Sequence, residues 1–332
     1  MPVRSGTPGM VDVARLAGVS HQTVSRVVNG HPGVRPETAA RVRAAITSLG
    51  YRRNATARAL VTHRSGLIGA FTTSDIDTDR LLSGIEAAVR AAGRTLLITV
   101  VDPDDPTGVD RLLDRAVDGH LAVAPTSSLL ATLGALPAPP PTVIVEGPSH
   151  PLGPSVGADH RGAARALTHH LLDRGHRTVH HVTGPPGSHT AAERAAGWRA
   201  ALAEAGIDAP EPVPGGTGPD TGHAAGRALA DRHAAGEPIT AVLAADDTLA
   251  PGLFHALADA GLHVPDRIAV AGIGDRPEST HLAPALTTVD TGPRAVGERA
   301  ARVLLDMVEG REGTDTTVPA TAPRTRASTG HW

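Results

Sequence analysis

Gln22 and Arg26 stand four residues apart, so a helix would put them on one face. Their side-chain types pair bidentately with the edges of adenine and guanine respectively, and His21 lies beside them. This is chemistry for reading base edges in a DNA groove. A second candidate set is the adjacent pair of carboxylates Asp246 and Asp247. Adjacent acids suit proton transfer, but no nucleophile triad, metal set or phosphate-binding loop accompanies them, so binding is favoured over catalysis.

The elements that must position Gln22 and Arg26 are two short helices and a turn. Val11 to Ala17 is apolar-periodic, and Gly18 can take the positive φ of a tight turn. Ser20 follows as an N-cap, and Val24, Val27 and Val28 then form an apolar stripe. His21, Gln22, Ser25, Arg26 and Asn29 are left on the hydrogen-bonding side. Helix, Gly turn, helix is the helix-turn-helix arrangement, in which the second helix enters the major groove. A third helix opens at Pro36 and Glu37, buries Val42, Ile46 and Leu49, and stops at Gly50.

Charge supports that assignment. Residues 1–65 carry ten Arg against only Asp12 and Glu37, a net of +8, while the remainder of the 332-residue chain carries −11 and the whole sums to −3. A basic head supplies phosphate contacts, and an acidic body is repelled by DNA. The absence of Cys excludes disulfides, thiolate metal sites and Cys nucleophiles. With no signal-peptide pattern and no apolar run of membrane-spanning length, a soluble cytoplasmic protein without membrane association is expected. The chain has no Lys and only five aromatic side chains, Tyr51, Phe71, Trp198, Phe254 and Trp332, so Val, Leu, Ile and Ala must fill its core.

Tyr51 to Arg64 is basic and has a helical pattern too short to persist alone, as a linker that folds only when docked would have. Leu60 within it is the type of residue that wedges between base steps in a minor groove; packing on the head or body is the equal alternative. From Leu67 the pattern changes to short apolar strands alternating with helices. Strands are expected at Leu67 to Phe71, Thr95 to Val101, Leu121 to Ala124, Thr142 to Glu146, Thr178 to Thr183, Ala241 to Ala245 and Ile268 to Gly272. Helices are expected at Asp79 to Ala92, Gly108 to Val117, Ser127 to Leu136, His160 to Arg174, Ala191 to Ala205, Thr221 to Ala235 and Thr248 to Ala260. Repeated βα units of this kind imply doubly wound parallel sheets, and two series of them imply two lobes around a cleft.

Along nearly its whole length the chain resembles the lactose-repressor (LacI/GalR) family of bacterial transcription regulators. The resemblance is carried by VDVARLAGVSHQTVSRVVNG, RPETAARVRAAITSLGYRRNATARAL, GHRTVHHVTGPPG, AERAAGWRAALAEAG, AVLAADDTLAPG, LHVPDRIAVAGIGD and PALTTVD. It implies a small all-α helix-turn-helix head on an α/β, two-lobed, periplasmic-binding-protein-like body. The head would span residues 10–53, a hinge helix 54–65 and the body 66–332. Lobe 1 would cover about 66–158 and 293–320, lobe 2 about 159–290 and 321–330, the chain crossing three times. The implied protein is a repressor of carbohydrate uptake or catabolism genes. It would act as a homodimer or higher oligomer on a near-palindromic double-stranded operator, under the control of a sugar or sugar-like effector in the cleft. No C-terminal heptad run follows Thr329, which argues against a helical tetramerisation tail.

By motif, His21, Gln22 and Arg26 match the family's base-reading positions, Thr23, Ser25 and Asn29 fall at or near phosphates, and Ser20, Asn54 and the minor-groove Leu60 complete the DNA set. Glu146, Arg194 and Asp246 match effector contacts, to which Ser74, Asp75, Ser188 and Asp275 are added as candidates. The chain also departs from the pattern. Ser188 and Pro293 stand where some relatives carry Trp and Phe, Gly274 replaces the first Asp of a GxDD pattern, and Pro251 is expected to cost a helix hydrogen bond.

Three further motifs have bland readings. Asp75, Asp77 and Asp79 approach calcium-loop spacing, but Arg80 replaces the Gly that the turn needs, which favours an acidic cleft rim. His169, His170, His176, His180 and His181 cluster, but adjacent His on a strand point to opposite faces, so solvated or core His is favoured over zinc. The Gly184 to Gly187 turn lacks the Lys-Ser/Thr of a P-loop and is read as a cleft turn. No cofactor and no metal are implied. Counting Glu146, Asp246, Asp247, Asp275 and the Asp75 to Asp79 loop against Arg194, the sequence suggests an effector with cationic character. The alternative function is a small-molecule receptor of periplasmic type without a regulatory role, against which the basic head argues.

Overall fold

The computed structural model describes residues 8–28, 31–51, 64–72, 78–101 and 117–330. Asn29, Asn54, Leu60, Ser74 and Asp75 lie outside the described residues, as do the hinge segment 54–63 and most of the helix expected over 108–117. The chain forms two compact units, residues 1–65 and 66–332.

In the first unit three helices, α1 (Met10–Ala17), α2 (His21–Val28) and α3 (Pro36–Leu49), enclose a small core. Gly18 closes α1 with φ +63°, a conformation in which a Cβ would be strained, and the Val19 N–H bonds the Ala14 carbonyl at 3.1 Å. Ser20 Oγ then accepts the Thr23 N–H at 3.1 Å and starts α2. Val13, Val24 and Val42 are fully buried, and Tyr51 is buried against them. Tyr51, the first residue of the basic segment and within the head's expected span, completes the head's core.

The second unit has two α/β lobes. Lobe 1 holds β1 (Leu67–Thr72), α4 (Asp79–Ala91), β2 (Thr95–Val100), β3 (Gly119–Val123), α5 (Ser127–Gly134), β4 (Thr142–Val145) and β5 (Ser155–Ala158). Later in the chain α10 (Pro293–Val308) and β9 (Thr316–Val318) join it. Among the described residues its sheet runs β2-β1-β3-β4-β5-β9, with every pairing parallel. A parallel sheet must be covered on both faces. Ile85 of α4 and Val296 and Leu304 of α10 cover one face, Leu129 and Leu133 of α5 the other. The α4–α10 contact is close because Gly84 faces Arg294 and Gly297 faces Leu81, and a Cβ at either would overlap a backbone carbonyl.

Lobe 2 holds α6 (His160–Asp173), β6 (His180–Val182), α7 (His189–Glu204), α8 (Gly218–Ala234), β7 (Ala241–Ala244), α9 (Ala250–Asp259) and β8 (Ala269–Ala271). Its parallel sheet runs β6-β7-β8 and is widened by bridges Val182 to Val213 and Ala271 to Thr287. Trp198 of α7 is fully buried and donates from Nε1 to the Val179 carbonyl at 2.8 Å. After β9 the chain returns to lobe 2, where Ser328 Oγ donates to the Val270 carbonyl at 2.6 Å.

Local pattern did not reveal β5 or β9. Each is three or four residues long and only half-buried at most of its positions, so neither shows an apolar run. Pro251 is a correction: α9 begins at Ala250, so the ring sits in the first turn, where its missing N–H costs nothing.

Candidate functional site

Two surfaces gather the predicted residues. On α2 the buried Val24 faces α1 and α3, while His21, Gln22 and Arg26 are exposed and Thr23 and Ser25 half-exposed. Ser20 Oγ also meets Thr23 Oγ1 at 2.9 Å, which ties the cap to the first turn. One rigid helix therefore presents a guanidinium, an amide and an imidazole together on its solvent face.

The second surface is a cleft of about 460 Å³ between the lobes of the body, a size in the range of small-molecule sites. Glu146, Ser188, Arg194 and Asp246 all line it. Glu146 follows β4 with φ +55°, and its Oε2 meets His160 Nε2 at 2.7 Å. His160 Nδ1 accepts from Arg194 Nε at 3.2 Å. A guanidinium only donates, so Nδ1 carries a lone pair and the ring proton sits on Nε2, directed at Glu146. Arg194 Nη1 then reaches the Ala245 carbonyl at 2.5 Å and Asp246 Oδ2 at 3.2 Å. The other Asp246 oxygen accepts from the N–H and Oγ1 of Thr248 at 3.0 and 2.9 Å. The result is a continuous polar chain, Glu146–His160–Arg194–Asp246, across the floor where the lobes meet. Burial alone would raise the Glu146 carboxyl, but His160 and Arg194 outweigh it and hold Glu146 below the usual carboxylate range.

Ser188 lines the cleft as the N-cap of α7, its Oγ accepting the Ala191 N–H at 3.3 Å. Gly184 and Pro185 of the preceding turn also line it. Asp275 does not line the cleft: with φ +47° it is turned toward the C-terminal segment, where Arg326 Nη2 and Arg324 Nη1 bind its oxygens at 2.6 and 2.9 Å. Asp247 is buried below the floor, accepting Thr288 Oγ1 at 2.6 Å, Ser279 Oγ at 2.7 Å and the Arg276 N–H at 3.1 Å. Burial, only partly offset by those donors, pushes its carboxyl up to about 6.

The sequence did not single out Arg80, Arg276 or His160. Arg80 of α4 crosses from lobe 1 to lobe 2, donating to the Gly274 carbonyl at 3.1 Å and pairing with Asp290 at 3.3 Å. With Arg80, Arg194 and Arg276 lining the cleft and only Glu146 and Asp246 as described lining acids, the expected acidic cleft is not found among the described residues. Of the acids counted from sequence, Asp247 lies in the core and Asp275 in an ion-pair cluster, while Asp75 and Asp77 lie outside the described residues. Apart from the His160 imidazole, the described lining has no aromatic ring, and Ser188 and Pro293 both line it.

The histidine cluster dissolves into separate partnerships. His180 meets Glu237 at 2.9 Å, while its neighbour His181 meets the Leu243 carbonyl at 2.9 Å beside the Trp198 ring. His169, His170 and His176 pair with Glu204, Thr329 and Thr240. Burial lowers His181 to about 4 and leaves it neutral.

Residues 9–54 match the model of bacterial regulatory proteins of the lacI family, and residues 168–329 that of a periplasmic binding protein-like domain. The chain is 31% identical to the HTH-type transcriptional regulator CelR of Thermobifida fusca, over 92% of this chain and 94% of that protein. It is 31% identical to the catabolite control protein A of Priestia megaterium over 88% and 90%, and 30% identical to the ribose operon repressor of Escherichia coli K12 over 90% and 92%. Among solved structures, the lac repressor dimer bound to operator and an anti-inducer superimposes with a TM-score of 0.88 at 27% identity, covering 98% of this chain and 99% of that one. The CelR–cellobiose complex superimposes with a TM-score of 0.73 at 28% identity, covering 97% and 99%. A basic helix-turn-helix head, a two-lobed body and relatives that are transcription regulators over nearly their full length lead to one conclusion: the chain belongs to the lacI family of bacterial regulatory proteins and is a DNA-binding transcriptional regulator.

Proposed function

We propose that this protein is a cytoplasmic repressor that binds a near-palindromic operator as a homodimer and is controlled by a sugar or sugar derivative in the body's cleft. In this reading His21, Gln22 and Arg26 read base edges, and Ser20, Thr23 and Ser25 contact phosphates. Asn29 and Asn54 are further DNA-contact candidates, and Leu60 wedges the minor groove. The reading of α2 is supported by the exposure of all three base-reading side chains around a buried Val24. The body then acts as a sensor: its described cleft carboxylates are held in fixed pairs, Glu146 by His160 and Asp246 by Arg194 and Thr248.

The observation that carries the effector assignment is the Glu146–His160–Arg194–Asp246 chain, which joins the two lobes through groups that hydroxyls can join or replace. Arg194, fixed from two sides, would hold a polyol's oxygens, with Ser188 close by. Ser74 and Asp75 are further candidates for effector contact. The CelR–cellobiose complex gives a sugar precedent in a relative. Calorimetry of the full chain against neutral mono- and disaccharides tests this. A saturable ligand is expected whose affinity falls about 10- to 100-fold in Arg194→Met, as loss of a charged hydrogen bond requires. Equal affinity in the variant would remove Arg194 from the site.

A further inference from the structure

Helices α8 and α9 pack against each other through glycines. Gly222 and Gly226, one turn apart on α8, meet Leu249 and Ala256, while Gly252 of α9 meets Pro219; a Cβ at Gly222 or Gly252 would overlap a backbone carbonyl. This close approach brings His223 of α8 to His255 of α9, with ring centroids 5.4 Å apart and planes inclined by 53°. Asp259 follows His255 by one turn on the same face, its Oδ2 3.7 Å from His255 Nε2. One ligand atom from each of the three residues lies within 4.8 Å of the others. None of the three lines the cleft, and the DNA surface on α2 does not involve them.

We propose that His223, His255 and Asp259 form a binding site for a divalent transition-metal ion of the zinc class. Two imidazoles and a carboxylate are the donor set that suits such an ion, whereas calcium and magnesium prefer all-oxygen shells. Tetrahedral zinc with bonds of about 2.0–2.2 Å holds its ligand atoms roughly 3.4 Å apart. The observed spacing therefore needs rotamer adjustments of about 1 Å and no movement of the helices, which the glycine contacts hold in place. His255 and Asp259 keep 70% and 66% of their side-chain surface exposed, so water completes the shell and the ion enters from solvent. The site also has a place in the sensor: α8 begins at Gly218 and the turn leading into α9 holds Thr248, both of which line the cleft. An ion bridging His223 and His255 ties together the two helices that carry these cleft residues.

The test uses untagged full-length protein, stripped with a chelator and desalted, in equilibrium dialysis against zinc chloride. Wild type is compared with His223→Gln, His255→Gln and Asp259→Asn, and with His263→Gln as an exposed histidine outside the site. One zinc per chain is expected that the His263 variant retains and that each His site variant weakens by at least about tenfold. Zinc should raise the melting temperature of wild type and of the His263 variant but not of the His255 variant, because only an ion held by the folded helix pair stabilises it. His255 is exposed, so its replacement leaves the fold intact in the absence of metal. Equal stoichiometry and affinity across all the variants, or a zinc-induced melting shift that persists in His255→Gln, overturns the proposal.

Discussion

Replacing Asp247 with Asn should change the pH dependence of stability in a predictable direction. Asp247 is 3% exposed, and burial lifts its carboxyl from an ordinary 3.8 to about 6 despite the Thr288, Ser279 and Arg276 donors. A carboxyl whose pKa is raised by folding contributes stability that is complete below 3.8 and gone above about 6. The displacement corresponds to about 3 kcal/mol. Asn keeps the shape, accepts from the Arg276 N–H and the Ser279 hydroxyl through its oxygen, turns its amide nitrogen to the Thr288 hydroxyl, and does not titrate. The stability of wild type relative to Asp247→Asn should therefore fall by about 2–3 kcal/mol between pH 4 and pH 7. Denaturant unfolding in a Trp332→Phe background measures it, because Trp198, buried in the same lobe, is then the chain's single indole. His120 and His181, each lowered to about 4, act in the opposite sense: their stability is complete above 6.5 and is lost as pH falls toward 4. They are common to both proteins and cancel in the difference. A difference that is flat from pH 4 to pH 7 would refute the burial argument.

Two other substitutions follow from the same geometry. Arg26→Ala should cost about 1–3 kcal/mol on the preferred operator and relax selectivity at one base position, as measured on a panel of single-base variants; an equal loss on every sequence would make Arg26 a phosphate contact. His120 is fully buried against Phe71, with no hydrogen-bond partner for either ring nitrogen among the described residues, so His120→Leu should stabilise the body by about 1–2 kcal/mol at pH 7 and resist acid better; a lower unfolding midpoint in denaturant would show that the imidazole is satisfied after all.

The head was legible because its information is local. Gly18, Ser20 and the Val24, Val27, Val28 stripe define turn, cap and buried face within eleven residues. The alternation of strands and helices in the body was legible for the same reason, since apolar runs such as Leu67 to Phe71 and Ala241 to Ala245 stand out against their neighbours. Contacts between lobes left no local trace. Arg80 reaches Gly274 across 194 positions, and His160 meets Glu146 only because the segment through β5 brings them together. Motif matching located Asp275 but not its direction, which its positive φ and two distant arginines decide. Sequence also does not distinguish Asp247, sunk beneath the floor, from Asp246 at its surface.

The most direct measurement is selection of duplexes from a randomised library by the full-length protein, followed by a salt titration of the winner against a scrambled duplex. An inverted repeat should emerge that binds at least about 10³-fold more tightly than scrambled DNA, with affinity falling steeply as salt rises and shifting when the cleft's ligand is added. Failure to enrich any symmetric sequence, or equal affinity for the scrambled duplex, would contradict the account.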